Sequence, residues 1–311
     1  MKADAIRFKL NGSEVAAAPG EMIIEAAARH GVEIPHLCYT PGMRPDGNCR
    51  ACMVEIKGER VLAPSCCRMP ANDMEVSSTS QRAVHAQKIV VEMLASDVPE
   101  RVYKPDSELA QWQRFLGLGK PRFAPRAQPL ADESHPAMAV NLDACIQCTR
   151  CVRACREEQV NDVIGFAFRG AHSKIVFDLD DPMGASTCVA CGECVQACPT
   201  GALMPATQVD ENGVFTNAPD REVDSVCPYC GVGCQLTYNI KDDKLLYVTG
   251  KEGPANQNRL CVKGRFGFDY VSNPQRLTQP MVRKDGVGKR ADDLVDPANP
   301  WTQSSLSSLM L

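Results

Sequence analysis

The sequence predicts an α+β chain made of several small lobes, each organised around cysteine. Three observations carry that expectation. Ile6, Phe8 and Leu10 alternate with Arg7 and Lys9, the period of a half-buried strand, and Asn11-Gly12 then supplies a tight hairpin turn. Sixteen of the seventeen cysteines fall into four quartets: Cys38, Cys49, Cys52 and Cys66; Cys145, Cys148, Cys151 and Cys155; Cys188, Cys191, Cys194 and Cys198; Cys227, Cys230, Cys234 and Cys261. Prolines at 121, 125, 129 and 136 and a turn-rich stretch from Asp210 to Asp224 separate these groups.

After the opening hairpin, Pro19-Gly20 breaks the chain, and EMIIEAAARHG reads as a short helix that packs Met22, Ile23 and Ala27 inward and stops at Gly31. Strands around 52–57, 60–65 and 74–76 complete a small sheet curled around that helix. Ser78 to Gln81 resembles a capping box, and QRAVHAQKIVVEMLA carries apolar residues at helical intervals. Leu109, Trp112, Phe115 and Leu116 share one face of a second helix. Between the second and third quartets, VIGFAFRG and KIVFDLD read as extra strands bracing their lobe.

At 311 residues the chain is long enough for two or more domains. Aromatic residues are only 5%, so the lobes are expected to depend on bound inorganic cores as much as on bulky side chains. A net charge of -4 and the lack of a long basic run argue against nucleic acid as a partner. The first residues, MKADAIRFKLNG, lack an apolar signal core, and no apolar stretch approaches the ~20 residues of a membrane helix. The expectation is a cytoplasmic protein without membrane contact, where thiols stay reduced and cysteines serve as metal ligands. Four thiolates are what an iron-sulfur cluster needs. Glycines 42 and 47 in CYTPGMRPDGNCRAC would let backbone N–H groups approach a bridging sulfide. Zinc on Cys49-x2-Cys52 is the rival reading.

Cys38-x10-Cys49-x2-Cys52-x13-Cys66 resembles the plant-type 2Fe-2S quartet in the variant that opens the large peripheral subunit of respiratory complex I and the alpha subunit of NAD-dependent formate dehydrogenases. Cys67 could replace Cys66 as the fourth ligand, although the family spacing favours Cys66. The repeated Cys-x2-Cys-x2-Cys-x3-Cys runs are similar to two-cluster ferredoxins, with Arg156 where a proline is expected after the first run. By the crossing rule of those folds, Cys145, Cys148, Cys151 and Cys198 would hold one 4Fe-4S cluster, and Cys188, Cys191, Cys194 and Cys155 its neighbour. Cys227-x2-Cys230-x3-Cys234-x26-Cys261 looks like the 4Fe-4S lobe of molybdenum or tungsten bis-pterin oxidoreductases, whose lysine two residues after the last cysteine assists electron passage; here it is Lys263.

The resemblance to formate dehydrogenase alpha subunits runs from about Ile6 to Trp301 and implies a domain order. A β-grasp 2Fe-2S ferredoxin domain would occupy 1–79, and a helical linker 80–139. That linker departs from the family in lacking a His-x3-Cys-x2-Cys-x5-Cys site, which leaves His85 and His135 as ordinary histidines. A two-cluster bacterial ferredoxin-like domain would cover 140–206, a linker 207–222, the molybdopterin oxidoreductase lobe 223–280, and the truncated start of a catalytic domain with a Ser/Leu tail 281–311. No histidine follows His172 and no cysteine follows Cys261, so the family's formate-binding and metal-ligating residues have no counterpart and no catalytic residue is expected in the isolated chain.

The implied role is relay of electrons from a Mo/W bis-pterin centre, carried by a missing pterin-binding domain, through three 4Fe-4S clusters and one 2Fe-2S cluster toward flavin/NAD-binding and small 2Fe-2S partner subunits. The alternative is an electron-transfer subunit of a soluble hydrogenase or complex I-like NADH dehydrogenase. The sequence leads one to expect the amino-terminal segment of a longer enzyme, cut short.

Overall fold

The computed structural model describes residues 5–98, 103–127, 129–211, 213–274, 276, 281–286, 288 and, for the backbone, 301–303. Strands β1 (Ile6–Leu10) and β2 (Ser13–Ala17) form the expected antiparallel hairpin, and Asn11 and Gly12 both take positive φ at the turn. Such a turn matches the right-handed twist of its strands. Helix α1 (Ile23–Arg29) buries Ile23, Ile24, Ala26 and Ala27, and the Glu25 carboxylate accepts from Met22 N–H at its start.

Strands β3 (Met53–Ile56), β4 (Ala63–Pro64) and β5 (Glu75–Ser77) complete a five-stranded sheet in the order β2-β1-β5-β3-β4, with β5 parallel to β1. The strand expected over 60–65 shrinks to two residues because Pro64 donates no N–H and a turn occupies 57–58. Phe8, Leu10, Ile23, Ala27, Val54, Ile56 and Val76 close the core between sheet and helix.

Helix α2 (Gln81–Ser96) is capped by Ser80, whose hydroxyl accepts from Ala83 N–H at 3.2 Å. The cap expected at Ser78 does not form, because Ser78 is held by Asn11: its N–H donates to Asn11 Oδ1 and its hydroxyl accepts from Asn11 Nδ2. Helix α3 (Glu108–Phe115) begins on Ser107 and packs on α2. Leu109 and Leu116 are buried and Trp112 half-buried, whereas Phe115, expected on the same face, is 54% exposed and meets Trp112 at right angles. The shared core of this helix pair takes in Leu37, Cys38, Ala51, Ile146 and Cys148, so the segment read as a linker is a wall into which two cysteine loops are set.

Among the described residues the chain then runs without helix or strand to β6 (Met138–Val140), which pairs antiparallel with β9 (Leu203–Pro205). Between them lie α4 (Arg150–Arg153), which continues through a wider helical turn at Ala154–Glu158, the expected hairpin of β7 (Ile164–Ala167) and β8 (Lys174–Phe177), and α5 (Glu193–Ala197). A three-stranded antiparallel sheet of β10 (Arg221–Val226), β11 (Gln235–Lys241) and β12 (Lys244–Gly250) follows, with α6 (Val262–Phe266) packed on β12. Beyond it, β13 (Met281–Arg283) pairs with β14 (Trp301–Gln303). The rest of the expected tail at 304–311 and most of 287–300 lie outside the described residues. Among the described residues no helix is long and apolar enough to cross a membrane.

Candidate metal centres

The long loop after α1 brings Cys38 and Cys49 against Cys52 at the start of β3 and Cys66 just past β4. Cys38, Cys52 and Cys66 are buried, with Cys52 and Cys66 sulfurs 3.3 Å apart. Cys67 is exposed, 3.6 Å from Cys66. Gly47 sits at positive φ with no room for a side chain: a Cβ there would come within 2.7 Å of the Cys67 sulfur. Hydrogen bonds from neighbouring thiols, Cys49 first and Cys66 next, hold the Cys38 thiol far below its ordinary range, at about 2. Cys66, hydrogen-bonded to Cys38 and Cys52, is pushed up correspondingly. N–H groups of Cys38, Asn48, Cys49, Ala51 and Cys66 reach sulfur, and Gly42 and Gly47 both take positive φ in the same loop.

The two tandem runs share a local fold. In each, the second and fourth residues after the first cysteine take positive φ: Gln147 and Thr149 in one, Ala190 and Gly192 in the other. Three of these are not glycine, and a side chain in that conformation is costly unless the surroundings fix it. The same offsets bring the same donors to sulfur. Gln147 N–H donates to Cys145 Sγ at 3.4 Å and Ala190 N–H to Cys188 Sγ at 3.3 Å, while Arg150 and Glu193 N–H groups reach Cys148 and Cys191.

The last cysteine of each run leaves its own group. Cys198 lines one cavity with Cys145, Cys148 and Cys151, walled by Leu142, Ile146, Ile175 and Leu203. Cys155 lies within electrostatic reach of Cys188, Cys191 and Cys194. Burial in this apolar setting pushes the Cys145 thiol up to about 11 and raises Cys148, Cys151 and Cys194 further.

The final quartet is more open. Cys227 N–H donates to Cys234 O at 2.8 Å across a loop with Gly231 and Gly233 at positive φ, and Cys261 caps α6 beside them. Cys234 feels Cys227, Cys230 and Cys261 together. Cys230 and Cys261 are exposed, and Lys263, on the first turn of α6, is exposed too. His85 lies exposed on α2, while His135 is buried and accepts from Ala137 N–H.

These donor sets suit clusters: thiols only, with N–H groups turned toward sulfur by a backbone held in strained conformations. Among the described residues, no three His, Cys, Asp or Glu side chains converge as they would on a single ion. A cluster asks for less convergence, since each outer iron takes its own thiolate. Sequence reasoning missed four buried polar side chains beside these sites, Arg150, Arg153, Glu193 and Arg265. Their signal was present: the first three flank cysteines on helices too short to hide a charge without partners.

Known families match the lobes in series. Residues 3–81 match a 2Fe-2S iron-sulfur cluster binding domain, 135–204 the ferredoxin-like domain of NADH-quinone oxidoreductase subunit 3, and 220–273 the molybdopterin oxidoreductase Fe4S4 domain. The chain is 31% identical over 291 residues to a NADH-quinone oxidoreductase subunit of Rhizobium meliloti, covering 91% of this chain and 33% of that protein. It is 28% identical over 319 residues to a putative formate dehydrogenase of Staphylococcus haemolyticus, covering 89% and 32%. A chain in the crystal structure of an NAD+-reducing NiFe hydrogenase in the H2-reduced state superposes with a TM-score of 0.60 at 28% identity, over 65% of this chain and 87% of that one. The chain spans about a third of the length of the curated relatives it matches. Three iron-sulfur domain matches in this order, together with the likeness to these relatives, support an amino-terminal iron-sulfur portion of the family that holds this NADH-quinone oxidoreductase subunit and the putative formate dehydrogenases.

Proposed function

We propose that the chain is the electron-transfer segment of an NAD-dependent formate dehydrogenase, standing between a Mo/W bis-pterin domain and a flavin/NAD-binding partner. Cys38, Cys49, Cys52 and Cys66 would hold a 2Fe-2S cluster in a β-grasp lobe. Cys145, Cys148, Cys151 and Cys198, then Cys188, Cys191, Cys194 and Cys155, then Cys227, Cys230, Cys234 and Cys261 would each hold a 4Fe-4S cluster. Bound there, the clusters supply one-electron oxidation and reduction; the protein supplies position, burial and hydrogen bonds to sulfur. The single observation that supports the formate reading is the match of 220–273 to the molybdopterin oxidoreductase Fe4S4 domain, alongside the likeness to putative formate dehydrogenases. Lys263 stands exposed two residues beyond Cys261, where a pterin domain could reach it.

The likeness to the hydrogenase chain and to the NADH-quinone oxidoreductase subunit favours a second reading, an electron-transfer subunit of a soluble hydrogenase or complex I-like NADH dehydrogenase. EPR at stepped potentials on anaerobically purified protein tests both. The expected result is one 2Fe-2S and three 4Fe-4S signals with about fourteen iron atoms per chain. Cys198→Ser should abolish the signal of the cluster assigned to Cys145, Cys148 and Cys151 and spare the one assigned to the rest of its own run. Reduction by formate once a pterin-bearing domain is supplied supports the first reading. Reduction only by a hydrogen-splitting or NADH-oxidising partner supports the second, and zinc without acid-labile sulfide removes both.

A further inference from the structure

The tandem runs place two polar side chains at the same offsets on their short helices. Five and eight residues after the first cysteine come Arg150 and Arg153 on α4, and Glu193 and Gln196 on α5. Three residues apart, each pair shares one helix face.

In the first run that face meets the amino-terminal lobe. Arg153 Nη2 donates to the Cys38 carbonyl at 2.5 Å and to the Cys148 carbonyl at 3.4 Å, and its Nη1 donates to Arg44 O. One guanidinium thus touches the cysteine backbones of two different sites. Arg150 Nη1 donates to Leu37 O at 3.3 Å and to Glu108 at 2.6 Å.

In the second run the same face meets the last lobe. Glu193 accepts from Leu260 N–H at 3.0 Å and from the Arg265 guanidinium, with both side chains of that ion pair 3% exposed. Gln196 accepts from Gly250 N–H at 2.9 Å and from Arg265 Nη1 at 2.8 Å. Arg265 Nε closes the contact on the Cys191 carbonyl at 2.8 Å. Its own helix begins at Cys261, so it too links the backbones of two sites. Gly192 leaves the space: a Cβ there would lie 2.1 Å from Arg265 Cδ.

The charge is opposite at the two ends. Carbonyls of the first lobe receive a cationic face, and the cationic Arg265 receives an acidic and amide face, so exchanging the lobes would set Arg150 and Arg153 against Arg265.

Resting on the cluster reading above, we propose that these offsets form a docking code that fixes which lobe stands beside which cysteine site. Arg153 and Arg265 are then the positioning residues for electron passage at the two junctions. A buried guanidinium also favours the added negative charge of a reduced neighbour, which ties docking to redox equilibrium.

The test uses the full chain, anaerobically loaded, with iron content, potentiometric EPR and rapid-freeze measurement of electron redistribution after partial reduction. Arg153→Met should slow redistribution between the Cys38 and Cys148 sites at least tenfold. It should also lower the potential of the Cys38 site by about 59 mV, a tenfold change in a one-electron equilibrium. The junction at Cys191 and Cys261 should keep its wild-type rate. Arg265→Met should give the mirror result. Arg153→Lys, which keeps charge but loses the fork, should restore the potential and not the rate. If a methionine variant fails to take up iron, Arg153→Lys and Glu193→Gln carry the same junction-specific expectation for the rate.

Iron-replete variants with wild-type rates and potentials at both junctions would overturn the proposal, as would equal slowing of both junctions by either variant. A wild-type chain without cluster signals would instead sink the cluster reading, and this inference with it.

Discussion

His135 shows how a residue outside every cysteine group still sets conditions on the fold. It is buried, its Nδ1 accepts from Ala137 N–H just before β6, and burial holds its pKa below the ordinary 6.5 despite Asp132 nearby. The folded chain therefore keeps it neutral at pH values where the unfolded chain protonates it. Stability from this site is complete above pH 6.5 and is lost as pH falls through the depressed folded value. Thermal unfolding of the loaded protein between pH 7.5 and 5.5 should show a steeper loss for wild type than for His135→Asn, whose amide oxygen keeps the acceptor without the charge. Equal slopes would assign the acid sensitivity elsewhere.

Among the elements, the helix pair α2 and α3 joins two distant parts of the chain. Its core links Val91, Ala95, Leu109 and Leu116 to Leu37 and Cys38 on one side and to Ile146 and Cys148 on the other. Truncating Leu109, 2% exposed, to alanine should cost about 2–5 kcal/mol in denaturant unfolding. It should also loosen hydrogen exchange in both cysteine loops, not one.

The sequence read this segment as a linker because it sees periodicity along the chain and not what lies across it. The apolar stripe of α2 was plain, but nothing local says that its partner is Ile146. Strong local chemistry was legible: Asn11-Gly12 gave the hairpin and Gly31 the helix end. Weak chemistry was not: Ser78 offered a cap, yet Asn11, far away in the chain, took it, and Ser80 capped instead. The cysteine groupings were readable because they are spacing; the partners of the buried arginines were not, because they lie in other lobes, as backbone carbonyls and as Glu108, Glu193 and Gln196.

Across the whole molecule the lobes differ in what fills them. The amino-terminal lobe closes on Phe8, Leu10, Ile23, Val54 and Ile56, and takes only Cys52 and Cys66 into that core. The tandem lobe has Cys151, Cys155, Cys194 and Cys198 inside its core, with Cys145 and Cys188 packed against it. Free thiols do not fill the volume of a cluster, and a core without its centre cannot hold its walls. Iron removal by chelation should therefore expose 135–204 to limited proteolysis while 6–77 stays protected. Simultaneous digestion of both regions would show that the lobes stand or fall together.

The pairing of β6 with β9 brings Met138 opposite Pro205 and Val140 opposite Leu203, so the tandem lobe starts and finishes at the same spot. A unit closed in this way is a bead on the polypeptide, and adding or deleting one requires no re-routing of what flanks it. Inserting or excising the lobe as a whole cassette should therefore leave the flanking chain path intact, provided a newcomer presents faces that its neighbours accept.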